Sequence, residues 1–183
     1  MQMNPRLSGL RCIRCERLWP VADYPEGCPG CLEAGHPASL ECRYEPGGDA
    51  AMPLPVLDPV TLGEGATPCL AAPALAQAEG VGRMWLKCES ANPTGSHKDR
   101  MAAQLVSRAR LAGATRVAAA SSGNAGVSLA AYCAAARLEA DIAITRDCPP
   151  LQRDAMQRFG ARLRAFDDSL SRWPYVADLC RDH

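Results

Sequence analysis

From about residue 69 onward, the apolar positions follow two rhythms. Short runs of strand character, at 83–88 (RMWLKC), 115–120 (TRVAAA), 140–145 (ADIAIT) and 161–166, alternate with Ala-rich stretches of helical spacing. The spacing predicts a short helix over 73–79 closed by Gly80, and a helix over 97–112 with Ser96 as N-cap and Gly113 as its stop. Further helices are predicted over 125–138 and over 149–159, the latter with proline in its first turn and Gly160 beyond its end. Another helical segment starts at Asp167 and is disturbed by Pro174. Strands alternating with helices predict βαβ units and an α/β domain on a parallel sheet. Ligands of such sheets sit at the carboxyl ends of the strands, and the loops at 92–98 and 121–124 lie there.

The first 68 residues are different. Residues 1–10 read as a tail. Residues 11–45 hold five of the ten cysteines and carry no helical period. Residues 46–68 contain five prolines and four glycines, which excludes a regular helix or central strand and predicts an extended linker. The α/β domain then occupies 69–183.

Composition narrows the function classes. In 183 residues, twenty basic and twenty acidic side chains cancel, so no net field draws in phosphate backbones and a nucleic-acid partner is not expected. Mean hydropathy is −0.15, and no stretch approaches the roughly 20 apolar residues of a membrane helix. With no apolar segment of signal-peptide type at the start, the expectation is a soluble, cytoplasmic protein without a membrane partner. Only two of the twenty basic residues are lysines, Lys87 and Lys98. Arginine replaces lysine on a solvated surface but cannot supply a neutral amine, so both lysines call for a chemical explanation.

Cys12-x-x-Cys15 and Cys28-Pro-Gly-Cys31 are separated by twelve residues. Two such turns brought together give four thiolates in a tetrahedron, the donor set of a structural zinc ribbon. The alternative, a pair of redox dithiols, calls for a helix start in a βαβ setting, which is predicted for neither pair. Residues 1–45 carry five arginines against six carboxylates, so the ribbon reads as structural packing and not as a nucleic-acid binder.

The stretch from Lys87 to Arg100 (KCESANPTGSHKDR) sets the Lys98 amine at the first turn of a helix. The positive end of the helix dipole disfavours a cation there and favours the neutral amine that attacks carbonyls. The plain alternative is a surface lysine at a helix start. Ser121-Ser122-Gly123-Asn124 follows a strand and opens a helix, a turn whose N–H groups and hydroxyls suit an anion, unless it is simply a capped strand-to-helix turn.

Taken together, Asn92-Pro-Thr-Gly-Ser-His-Lys98-Asp-Arg100 and Ser121-Ser-Gly-Asn124, with Gly63-Glu-Gly-Ala-Thr-Pro68 upstream and the ribbon before it, resemble the fold-type II pyridoxal-phosphate enzymes, and within them threonine synthase and its close relatives. The resemblance implies the three-layer parallel-sheet domain of that fold, in incomplete form, after a small zinc ribbon. It implies pyridoxal 5′-phosphate as cofactor and Zn2+ as structural metal. Lys98 would be the Schiff-base lysine and proton shuttle, and Asn124 would bond the cofactor's ring hydroxyl. Ser121, Ser122 and Gly123 would hold the substrate carboxylate. Lys87 would meet a substrate phosphate, with a salt bridge to Glu89 as its rival role. The implied reaction converts O-phosphohomoserine and water to threonine and phosphate. Other readings stay open: a fold-type II lyase such as a threonine dehydratase or diaminopropionate ammonia-lyase, or a non-catalytic zinc-binding module. His97 departs from the aromatic or small residue usual before the lysine. The family's glycine-rich phosphate loop and second domain are expected beyond this stretch of chain, so a missing C-terminal half, a homo-oligomer and an inactive fragment are all expectations of the resemblance.

Overall fold

The computed structural model describes residues 1–24, 26–47 and 53–181, which divide into two units at Asp58/Pro59. In the first unit β1 (Gln2–Met3), β2 (Leu7–Cys12), β3 (Leu18–Trp19), α1 (Pro29–Glu33), β4 (Leu40–Tyr44) and β5 (Val56–Leu57) follow in order. Strand β2 is the centre of an antiparallel sheet of order β3-β2-β4, and β1 pairs with β5. Residues 1–10, which read as a tail, thus supply β1 and most of β2. These strands are too short and too polar to show a period of two. Cross-strand neighbours Arg11 and Glu41 form a two-pronged ion pair at 2.7 Å, a pairing that contributes about 0.2–1 kcal/mol.

Two turns shape the cysteine pairs. Glu16 and Gly27 both take positive φ. At Gly27 a Cβ would come within 2.3 Å of the Ala38 carbonyl oxygen, so only glycine fits. Cys28 is the N-cap of α1. A helix start was not predicted here. The proline after Cys28 suits the first helical turn, but five residues are too few to show a helical period.

The second unit contains β6 (Cys69–Ala71), α2 (Pro73–Ala78), β7 (Trp85–Lys87), a 3-10 turn at Glu89–Ala91, α3 (Lys98–Leu111), β8 (Arg116–Ala120), α4 (Asn124–Ala136), β9 (Glu139–Thr145), α5 (Pro150–Arg158), β10 (Arg162–Phe166) and α6 (Arg172–Arg181). Strands β8, β9 and β10 are parallel with β9 central, while β6 and β7 form a separate antiparallel pair. The expected α/β architecture on a parallel sheet is what forms. Strand β9 is buried along nearly its whole length, as its apolar run requires between helices and neighbours. Helix α4 packs against α3, α5 and β9. Gly126 allows that approach: a Cβ there would stand 2.8 Å from Met156 Sδ and 3.0 Å from the Ser121 carbonyl oxygen. Buried Val106, Ile142, Ile144 and Met156 in this core each contribute about 1.5–3 kcal/mol over exposure.

Two expectations shift. The Asp167 helix begins instead at Arg172, which places Pro174 in the first turn, where its missing N–H has no intrahelical acceptor to satisfy. Of the proline-rich stretch, Val60 is bound to the second unit: its N–H donates to the buried Ser107 hydroxyl at 2.8 Å.

Candidate active site and metal centre

The site residues of the second unit gather at the first turns of α3 and α4. Helix α3 starts at Lys98 because Ser96 Oγ accepts the Lys98 N–H at 3.3 Å, although His97 is the cap residue by position. Next to Lys98, the fully buried Asp99 is the hub. Its Oδ2 accepts the Thr94 N–H at 2.7 Å, and its Oδ1 accepts the hydroxyls of Thr94 and Ser128. Three donors satisfy a buried carboxylate that would otherwise be very costly to bury. Through Ser128, one turn into α4, Asp99 locks the start of α3 to the start of α4, where Asn124 stands. Lys98 is half-buried, and its amine has no hydrogen bond or ion pair among the described residues. Asn124 is exposed, and its side-chain amide is likewise without a partner.

The turn between β8 and α4 is held from within. Ser121 Oγ accepts the N–H of Gly126 at 2.9 Å and of Gly123 at 3.4 Å, capping α4. Ser122 Oγ accepts the Thr145 N–H at 2.8 Å and lies 2.9 Å from the Thr145 hydroxyl. Both hydroxyls expected to face a ligand are therefore engaged by the protein. The anion-binding capacity of this turn rests on its backbone N–H groups.

A second cluster stitches residues 61–67 onto the site. Arg100 grips Glu89 with two bonds of 2.8 Å and also donates to the Gly65 carbonyl and the Thr67 hydroxyl. Asn92 accepts the Gly65 N–H and donates to Glu89. The Arg100 bonds hold the Glu89 carboxyl down at about 2, despite some opposition from burial. Burial pushes the Glu64 carboxyl up, but hydrogen bonds from Tyr132, Leu62 and Thr61 outweigh it and leave it below its ordinary value. Burial raises the Tyr132 phenol, and the adjoining Glu64 charge raises it further. Lys87 donates to the Thr67 carbonyl. Glu89 is taken by Arg100, so the Lys87–Glu89 salt bridge does not form.

Asp99, Ser128, Glu64, Tyr132, Glu89 and Arg100 had no assigned role in the sequence reading. A signal existed for some of them. Asn124, Ser128 and Tyr132 recur every four residues and make a polar stripe on an otherwise apolar helix, as do Asp99, Ala103 and Ser107 on α3.

In the first unit the Sγ atoms of Cys12, Cys15, Cys28 and Cys31 all lie within 4.8 Å of one another. Cys12 and Cys31 are 3.7 Å apart, as are Cys15 and Cys28. A zinc–sulfur bond of about 2.3 Å in a tetrahedron requires sulfur edges of about 3.8 Å, so the four thiols fit that ion. The N–H groups of Arg14 and Cys15 point at Cys12 Sγ at 3.4 Å, and the Cys15 bond leads in lowering that thiol to about 6. Burial pushes Cys31 up to about 12. Trp19, Ala38 and Leu40 pack over the cluster.

A parallel sheet with a lone lysine amine and an asparagine-led turn at its carboxyl end defines a class of cofactor enzyme. Residues 60–182 match the pyridoxal-phosphate dependent enzyme family, and the chain belongs to that family. Among curated relatives, the threonine synthase of Synechocystis sp. is 41% identical over 125 residues, covering 66% of this chain and 31% of that protein. The threonine synthase of Mycobacterium leprae is 46% identical over 94 residues, covering 50% of this chain and 26% of that protein. The chain thus spans about a third or less of the length of these relatives. Among solved structures, O-ureido-L-serine synthase matches with a TM-score of 0.60 at 24% identity over 70% of this chain and 42% of that chain. Maize serine racemase matches with a TM-score of 0.56 at 22% identity over 63% of this chain and 35% of that chain. These two share the fold. No helix among the described residues is long and apolar enough to cross a membrane.

Proposed function

We propose that this chain carries the lysine-bearing half of a threonine synthase-like active site, with O-phosphohomoserine and water as substrates and threonine and phosphate as products. The observation that carries the reading is the unpaired Lys98 amine, set on the turn that the Asp99–Ser128 bond ties to the Asn124 helix. Curated threonine synthases, at 41% and 46% identity, support the choice within the family.

In this reading the residues divide the work. Lys98 Nζ holds the cofactor's aldehyde carbon at rest and afterwards moves protons at substrate Cα and Cβ as general base and acid. Asn124 donates its amide N–H to the ring hydroxyl oxygen. The N–H groups of the Ser121–Ser122–Gly123 turn orient the substrate carboxylate. When bound, pyridoxal 5′-phosphate supplies an electron sink that acidifies the Cα–H bond. Phosphate departs from Cγ and water adds at Cβ. In the first unit Cys12, Cys15, Cys28 and Cys31 hold structural zinc.

The test uses protein purified from its own host and supplied with cofactor. Phosphate release from O-phosphohomoserine, with threonine formed in equal amount and lost in Lys98→Ala, is the expected result. Ammonia release from threonine or diaminopropionate, with no phosphate release, would assign the site to a different lyase.

A further inference from the structure

Where β9 ends, Ser122, Thr145 and Arg172 meet. Ser122 Oγ accepts the Thr145 N–H at 2.8 Å and Arg172 Nη1 at 3.3 Å. With both lone pairs engaged, its own proton must go to Thr145 Oγ1, 2.9 Å away. The Thr145 hydroxyl then has a proton left over and no acceptor for it among the described residues. Arg172 is half-buried, donates through Nε to the Ser169 carbonyl at 3.1 Å, and leaves Nη2 with no acceptor among the described residues. The neighbouring acids are engaged. Asp167 pairs with Arg146, and Asp168 accepts the N–H groups of Leu170 and Ser171 and the Ser171 hydroxyl. Cys148, also at this end of the sheet, donates its thiol to the Ser122 carbonyl at 3.4 Å and so fixes the turn without occupying the guanidinium.

A cation and a hydroxyl donor, both unsatisfied and both beside the candidate carboxylate turn, make a place for a second anion. We infer that Arg172 and Thr145 form an oxyanion subsite for the substrate's phosphoryl group. The guanidinium fork matches phosphate oxygens, and the Ser122 relay aims the Thr145 proton outward. The inference rests on reading this end of the sheet as the substrate site. Lys87 does not compete for the role, since its ammonium is held by the Thr67 carbonyl.

The experiment is titration of cofactor-free, zinc-loaded protein with inorganic phosphate, followed by NMR or calorimetry, with acetate as the carboxylate probe. Saturable phosphate binding is expected, weakened by about tenfold or more in Arg172→Met and partly restored in Arg172→Lys. Thr145→Val, which keeps the N–H bond to Ser122, is expected to weaken binding severalfold. Circular dichroism confirms that each variant is folded. Absence of phosphate binding, equal binding by folded Arg172→Met, or equally tight binding of acetate overturns the subsite. Loading of Lys98 with cofactor is scored separately. A protein labelled on Lys98 that ignores phosphate loses this subsite alone, and one that binds phosphate through Arg172 but takes no cofactor loses the proposed function alone.

Discussion

Asp99 Oδ1 accepts the Ser128 hydroxyl at 2.5 Å, and this bond joins the turn bearing Lys98 to the helix bearing Asn124. Asp99 is fully buried. Each donor left unsatisfied in such a place costs about 1–3 kcal/mol. Asp99→Ala is therefore expected to lower unfolding free energy by about 3 kcal/mol or more, and Ser128→Ala by about 1–2 kcal/mol. Urea denaturation checks both. The double variant should lose less than the sum of the two, because they break one shared bond.

Gly126 is where α4 meets the sheet. Gly126→Ala drives a methyl group into Met156 Sδ and the Ser121 carbonyl. The expected cost is about 1–3 kcal/mol, typical of an overpacked core. Met156 can give way, but the Ser121 backbone cannot move without disturbing the candidate anion turn. Thermal melts of Gly126→Ala alone and combined with Met156→Ala separate the two contributions, and the combination should recover part of the loss.

The Glu89–Arg100 pair makes a signed pH prediction. The folded Glu89 carboxyl lies at about 2, against an ordinary 4.5. A depressed folded value means its contribution is fully present above the ordinary value and is lost as pH falls from there through about 2. Wild type and Glu89→Gln should differ in thermal midpoint near neutral pH, and that gap should close in strong acid. A gap that persists unchanged into acid would contradict the assignment of the shift to Arg100.

The four-cysteine cluster predicts about one zinc per chain by metal analysis. Removing it with a strong chelator should change the emission of Trp19, which packs over the cluster. Far-UV signal from the β8–β10 sheet should persist, because its core is built without the cysteine cluster. Cys31→Ser should abolish stoichiometric zinc.

Much of the α/β pattern was legible because β9 and α4 are buried nearly all along their length, so period and apolarity report them directly. The two cysteine pairs were legible from spacing. Strands β1, β3 and β5, of two residues each, were not, since no pattern can repeat in so short a span. The locations of Lys98 and Asn124 followed from helix-start chemistry. The Asp99 hub did not, because a carboxylate beside a lysine reads as a surface pair until the fold buries it. The Ser121 and Ser122 hydroxyls were read as ligand donors. Only tertiary structure brings Thr145 and Arg172 to Ser122, and with them the reason its proton points inward.

The central claim concerns one amine, and the scarcity of lysine makes it easy to test. Incubation with pyridoxal 5′-phosphate, borohydride reduction and peptide mass mapping should place the added mass on Lys98 and leave Lys87 and the Met1 amine unmodified. A label on Lys87 or Met1 with Lys98 bare, or no label on folded protein, would contradict the account.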